Sequence, residues 1–266
     1  MRNTPAWKAL QGKVTSMPIN AINRLALIRH FVTGKKNTGY CPICEKKTIF
    51  VEFGPWLRDQ YKCVMCDSIP RNRALIHVLN LTYPDWRGLV IHESSPGNPA
   101  SDFLAKTCIN YSCSCYFEDS IPGSNRAGVR CENLQCMTFP DASFDLFITQ
   151  DVLEHVLKPE SAFSEIARVL KPGGAHVFTV PWYTKLKKSV RRAQEVDGRI
   201  VFLEEPVYHA NPIDAKGALV TRDWGLDLAD TIYDNGKLTT ATFLIRDRQL
   251  GLDAEFLEVF VSRKCK

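Results

Sequence analysis

Phe144-Asp-Leu-Phe-Ile-Thr149 is an apolar run without polar alternation, the pattern of a central parallel strand covered by helices on both faces. Downstream, Val152, Leu153 and Val156, then Phe163, Ile166, Ala167 and Leu170, recur at helical spacing. Lys171-Pro-Gly-Gly174 supplies a basic last turn, a proline stop and glycines for the reversal into a second apolar run, Ala175-His-Val-Phe-Thr-Val-Pro181. Strand, helix, tight turn, strand is one unit of a doubly wound sheet, which predicts an α/β domain whose ligands sit beyond the carboxyl ends of its strands.

Between that strand and helix stands Asp151-Val-Leu-Glu-His-Val-Leu-Lys-Pro-Glu160, and Phe139-Pro-Asp-Ala-Ser-Phe-Asp145 leads into the strand. In this order, from about Cys131 to Pro181, the segment resembles the second half of a class I S-adenosylmethionine-dependent methyltransferase of the type 11-like kind. The resemblance implies a Rossmann-like, doubly wound sheet of the seven-stranded methyltransferase type and S-adenosylmethionine as cofactor. It is silent about the methyl acceptor.

The same resemblance assigns the cofactor residues. The first strand, Leu89-Val-Ile-His-Glu93, ends on the acidic residue the family places there, and Ser94, Ser95 and Gly97 are small enough for a close backbone approach. The loop Glu93-Ser-Ser-Pro-Gly-Asn-Pro99 departs from the family's glycine-rich turn: it has one glycine, and two prolines remove amide donors. The second strand, about Cys108 to Phe117, leads to Glu118 and Asp119 as ribose ligands, with Ser112 or Ser114 as the other possibility. After the third strand, Gly128 to Glu132, either Glu132 or Asn133 would accept from the adenine amino group, with Phe139 packed near the base. Gln150 and Asp151 would face the cofactor sulfur and the acceptor. Glu154 and His155 recur in the family whatever the acceptor, so they are expected on a helix surface or in core hydrogen bonds, and His176 is expected to pack in the core.

Four of the ten cysteines form two knuckles, Cys41-Pro-Ile-Cys44 and Cys63-Val-Met-Cys66. Paired Cys-x-x-Cys turns joined by a hairpin can present four thiolates to one tetrahedral ion, so a structural zinc is expected at Cys41, Cys44, Cys63 and Cys66; a redox pair or an iron site is the other reading. The remaining cysteines fall mostly on expected strands, as reduced thiols of a cytoplasmic protein do. Before the first knuckle, residues 1 to 44 contain no Asp or Glu but seven Lys or Arg. The helical pattern from Ile19 to Val32 would dock on the protein or rest its basic face on an anionic membrane surface. No apolar run approaches the ~18 to 20 residues of a membrane span. After the second knuckle, Arg71 and Arg73 stand in a helix's first turn, where positive charge is disfavoured. Solvation, an anionic substrate or a carboxylate across a domain junction would each account for them.

The expected organisation is thus a basic N-terminal segment (1–38), a zinc-binding module (39–70) and a Rossmann-like domain (71–266) with an acceptor-side insertion at about 182–222. That insertion carries Lys185, Lys187, Lys188, Arg191 and Arg192, and then Glu204-Glu-Pro-Val-Tyr-His-Ala-Asn-Pro-Ile213. Its cations favour an anionic small-molecule or glycan acceptor. His209 is the expected general base, since an unperturbed imidazole titrates near working pH, with Asp151 in reserve. The whole plan resembles bacterial methyltransferase-like proteins of surface-polysaccharide synthesis. Two other functions stay open: an RNA base methyltransferase, which the basic N-terminus would suit, and a catalytically silent binding or scaffold protein, which the poor glycine loop would suit. The net charge of +5 is modest for an RNA-binding protein.

Overall fold

The computed structural model describes residues 34–211 and 214–265. The basic segment with its expected helix over 19–32 lies outside the described residues, as do Pro212 and Ile213. The described chain opens with a three-stranded antiparallel sheet of β1 (Lys36–Cys41), β2 (Lys46–Glu52) and β3 (Tyr61–Cys63). A short helix, α1 (Leu57–Gln60), precedes β3. The two knuckles close alike: the Glu45 amide donates to the Cys41 carbonyl at 2.8 Å, and the Asp67 amide to the Cys63 carbonyl at 2.9 Å.

Helix α2 (Pro70–Thr82) follows, with proline at its first position, where no amide donor is needed. The main sheet then takes β4 (Val90–Ser94), helix α3 (Pro99–Thr107), β5 (Asn110–Cys115), β6 (Asn125–Arg126), β7 (Val129–Cys131), β8 (Phe144–Gln150), helix α4 (Pro159–Val169) and β9 (Leu170–Thr179). Three two-stranded ladders make up the insertion: β10 (Val190–Arg191) with β15 (Arg222–Asp223), β11 (Ala193–Val196) with β12 (Arg199–Phe202), and β13 (Tyr208–Asn211) with β14 (Asp214–Leu219). Helix α5 (Leu228–Gly236), β16 (Leu238–Phe243) and β17 (Val259–Lys264) complete the domain.

The eight strands lie in the order β16-β17-β9-β8-β4-β5-β7-β6. β5, β4, β8 and β9 run parallel, β7 continues that direction, and β17 is antiparallel to β9. This is the expected doubly wound sheet, extended at one edge by the two-residue β6. Alternate residues feed two apolar layers. Leu146, Ile148, Val177, Val259 and Val261 meet α2 and α3, whereas Phe147, Phe178 and Phe260 meet α4 and α5. The N-terminal sheet shares the first layer through Phe50 and Tyr61. Among the described residues no helix is long and apolar enough to cross a membrane.

Three expected elements shift. The helix after β8 begins at Pro159, and Leu153–His155 forms a separate 3-10 turn. Pro159 restricts the residue before it, and Lys158 accordingly sits outside the helical region at φ −124°, ψ 70°. Lys171-Pro-Gly-Gly174 is the bulged start of β9 rather than a free turn; a Cβ on Gly174 would lie 2.8 Å from the Asp145 carbonyl. The last helix, which the sequence places at about Trp224 to Tyr233, begins at Leu228. Trp224 is instead buried against Phe163.

Candidate active site

Beyond the end of β8 the chain enters the left-handed region at Asp151 (φ 51°). The carboxylate is gripped from three elements. Arg58 of α1 donates to Oδ2 at 2.5 Å, Arg71 of α2 lies 3.2 Å from the same oxygen, and Thr179 of β9 donates to Oδ1 at 2.8 Å. Burial alone would raise the Asp151 pKa, but the two guanidiniums outweigh it and hold the carboxyl below its ordinary range. Asp151 is therefore an ionised anchor and a poor proton acceptor. Arg71 also reaches Asp59 at 2.5 Å, so the carboxylate across the junction is what this first-turn arginine meets.

The 3-10 turn that follows carries Glu154 and His155 toward the insertion. Glu154 is 1% exposed, and neither carboxylate oxygen has a hydrogen-bond partner. Its Oε1 lies 3.8 Å from His155 Nε2 and 3.9 Å from His209 Nδ1, and the two rings stand edge to face at 5.1 Å. Burial, reinforced by Asp151, pushes the Glu154 carboxyl well above its usual range. Burial also lowers His155 to about 4, and it lowers His209 despite the pull of Asp151. Both rings are neutral near pH 7. The insertion is pinned to this turn: the Thr221 amide donates to the Glu154 carbonyl at 2.7 Å, and His155 Nδ1 lies 2.8 Å from the Leu219 carbonyl. The structure thus brings His209 to Glu154 and His155, two residues expected on a helix surface or in core hydrogen bonds. Their position directly after the fourth parallel strand was the available signal.

On the neighbouring strand ends, Glu93 is fully buried. Its Oε1 accepts from Ser101 and Gln150, both at 2.8 Å, and its Oε2 from Tyr111 at 2.7 Å. Glu93 and Gln150 therefore form a floor beneath the loop. Ser94 lies at the strand end, and Ser95 makes the left-handed turn (φ 58°) that glycine favours, its amide donating to the Ser114 carbonyl at 2.8 Å. The Gly97 amide donates to Ser101 Oγ at 3.2 Å, and Asn98 caps α3 by accepting from Ala100 and Ser101.

At the end of β5, Asp119 is paired with Arg126 at 2.5 Å, while exposed Glu118 takes part in no hydrogen bond or ion pair among the described residues. Glu132 is buried and committed: it accepts from Arg130 at 2.6 Å and from the Thr138 amide and hydroxyl at 2.9 and 2.6 Å. Asn133 accepts from the Gln135 amide at 2.9 Å. Phe139 packs on His92 and Phe144, with ring centroids at 4.7 and 5.0 Å, and so belongs to the layer beneath the sheet. A nucleoside-bearing cofactor thus finds one free carboxylate at Glu118, small residues over the floor, and no uncommitted carboxylate at Glu132. The group fits the first two strand ends better than the third.

The four knuckle sulfurs lie within 4.8 Å of one another, with Cys41–Cys66 at 3.8 Å and Cys44–Cys63 at 3.7 Å. A tetrahedral ion with bonds of about 2.3 Å requires sulfurs roughly 3.8 Å apart. The donor set fits a zinc ion.

Residues 102–178 match the family described as "Methyltransferase domain". No curated protein matches the sequence. Among solved structures, an S-adenosylmethionine-dependent methyltransferase from Mesorhizobium loti is similar at 17% identity, over 72% of this chain and 98% of that one, with a TM-score of 0.48. The 1,6-didemethyltoxoflavin-N1-methyltransferase of Burkholderia thailandensis is similar at 17% identity, over 74% of this chain and 79% of that one, with a TM-score of 0.41. The stretch 102–178, which runs from α3 into β9, is thus similar to a methyltransferase domain, and the strands around it form a doubly wound sheet.

Proposed function

We propose that the chain methylates an oxygen or nitrogen of a small anionic acceptor such as a glycan, with S-adenosylmethionine as donor. The observation that carries this reading is the neutral imidazole of His209, brought by the insertion to Glu154 beyond the end of β8, beside the strand ends where the cofactor fits. When bound, the cofactor supplies an electrophilic methyl group for direct displacement. Glu118 holds the ribose diol, and Ser94, Ser95 and Gly97 let the backbone approach. Gln150 and Glu93 keep the floor rigid. His209 accepts the acceptor's proton, and the insertion positions the acceptor and sheds water.

Lys185, Lys187 and Lys188 are exposed and form no ion pair among the described residues, which suits an anionic acceptor. Arg191 and Arg192 are held by Glu160 at 3.3 Å and Asp223 at 2.8 Å. The four knuckle cysteines hold one structural zinc, and a reducing cytoplasm suits ten cysteines that form no disulfide. Calorimetry tests the whole reading: S-adenosylhomocysteine should bind one site per chain. If neither it nor S-adenosylmethionine binds at millimolar concentration, the enzyme reading is wrong and a binding or scaffold role stands. Steeply salt-dependent RNA binding in a gel-shift series would instead favour an RNA acceptor.

A further inference from the structure

We propose that Glu154, His155 and His209 form a second metal site, separate from the cysteine cluster, that takes a hard or borderline divalent cation such as Mn²⁺, Fe²⁺ or Co²⁺. One carboxylate oxygen and two ring nitrogens lie within 4.8 Å of one another. Bonds near 2.1 Å require ligand atoms roughly 3.0 to 3.4 Å apart; the 3.9 Å separation closes by a small inward turn of half-exposed His209, and the 3.8 Å separation to His155 by a small shift of the Glu154 carboxylate, which no hydrogen bond holds.

Glu154 is the second, independent observation. A buried carboxyl with no partner at either oxygen is costly, and a cation would satisfy it. The third is the orientation of His155. When its Nδ1 proton is donated to the Leu219 carbonyl at 2.8 Å, the Nε2 lone pair is left toward Glu154, which is the outer-shell arrangement that metal-ligating histidines use. The nearby guanidiniums do not oppose a cation, because Arg58 and Arg71 are compensated by Asp151 and Asp59. Two imidazoles and one carboxylate leave open positions for water or an acceptor oxygen.

The role of such a cation rests on the methyl-transfer reading: by lowering the proton affinity of a bound hydroxyl it would take over the work assigned to His209, which then serves as a ligand. Metal binding itself does not rest on that reading. The test is Mn²⁺ titration of the full zinc-loaded chain followed by electron paramagnetic resonance, since hard Mn²⁺ does not compete for thiolates. The parent should bind one Mn²⁺ per chain. Glu154→Gln and His209→Ala should weaken it by more than the roughly 10- to 100-fold that losing an outer-shell partner costs, while keeping their zinc. His209→Ala lies on a half-exposed strand and guards against misfolding of the buried variant. No Mn²⁺ bound by the parent, or both variants binding it like the parent, overturns the site. S-adenosylhomocysteine calorimetry reports separately on the methyl-transfer reading.

Discussion

The donors of Arg73 are taken up by carbonyl oxygens: Tyr61 at 3.0 Å, Gly251 at 2.7 and 3.2 Å, and Ser68, whose hydroxyl adds a contact at 3.2 Å. The guanidinium also lies over the Phe50 ring at 4.7 Å. Burial lowers its pKa to about 10, yet it stays charged at neutral pH. Gly251 must be glycine here, because it sits at φ 69° and a Cβ would come within 2.7 Å of Arg73 Nε and of the Phe50 ring. Arg73→Met should cost about 2 to 6 kcal/mol in urea unfolding, since it strands the buried Tyr61 and Gly251 carbonyls while that of Ser68 keeps the Cys63 amide, and Arg73→Lys should not restore the loss because an ammonium cannot span the fork. A parental midpoint in the Met variant would refute this. Of the Arg-x-Arg pair, the sequence showed only that two cations stood where a helix disfavours them. Their partners come from elements distant in the chain, so no local pattern could name them. Glu93 was legible as the acidic strand end, but His209 could be tied to Glu154 and His155 only through the path of the insertion. Replacing His209 with Ala should lower kcat by roughly 10²- to 10⁴-fold while leaving S-adenosylhomocysteine affinity nearly intact. Gly97→Val should abolish that affinity by blocking the backbone approach; unchanged calorimetry would move the cofactor away from this loop.

The knuckles were readable because each Cys-x-x-Cys turn encodes its own geometry, and the β1–β2 hairpin and β3 only had to bring the two turns together. One equivalent of zinc is expected by elemental analysis, and Cys63→Ser should lose it and loosen β1–β3; a mutant that keeps its full zinc would rule out the assignment. Helix boundaries were less legible. Periodicity ran from Val152 into α4, but Pro159 sets the start, leaving the 3-10 turn free to present Glu154 and His155. In the insertion, charge alone suggested five equivalent cations, yet Arg191 and Arg192 are paired by residues of α4 and β15. Neutralising Lys185, Lys187 and Lys188 together should therefore raise the acceptor KM, and by a smaller factor at high salt, where exposed charges are screened. A KM unchanged at low salt would remove these lysines from acceptor binding.

Two buried histidines link the sheet to solution pH. His92 lies between Ser112 and Ser114 at 2.9 Å each, and His176 meets Thr149 at 2.9 Å. Burial lowers both from 6.5 to about 3. The unfolded chain then binds more protons between those values, so the stability is fully present above pH 6.5 and is lost as pH falls, at up to ~1.4 kcal/mol per pH unit for each ring. Urea unfolding at pH 7, 6 and 5 should show that decline, and because His155 is lowered by burial in the same way, His92→Gln should remove at most about a third of it. A flat profile would mean that the rings are solvated. The doubly wound sheet was legible because the unalternating apolar runs of β8 and β9 are a property of local residues, whereas the attachment of the cysteine sheet was not, since it runs through Arg73 and the turn at Gly251. The strand order has one more effect, during synthesis. β17 is the last of the eight to be made but pairs between β9 and β16, so a ribosome-bound chain keeps two open strand edges until residues 259–264 emerge. Neighbouring nascent chains can pair with those edges in the interval, so the hazard of aggregation is set by the order of synthesis as well as by the finished sheet.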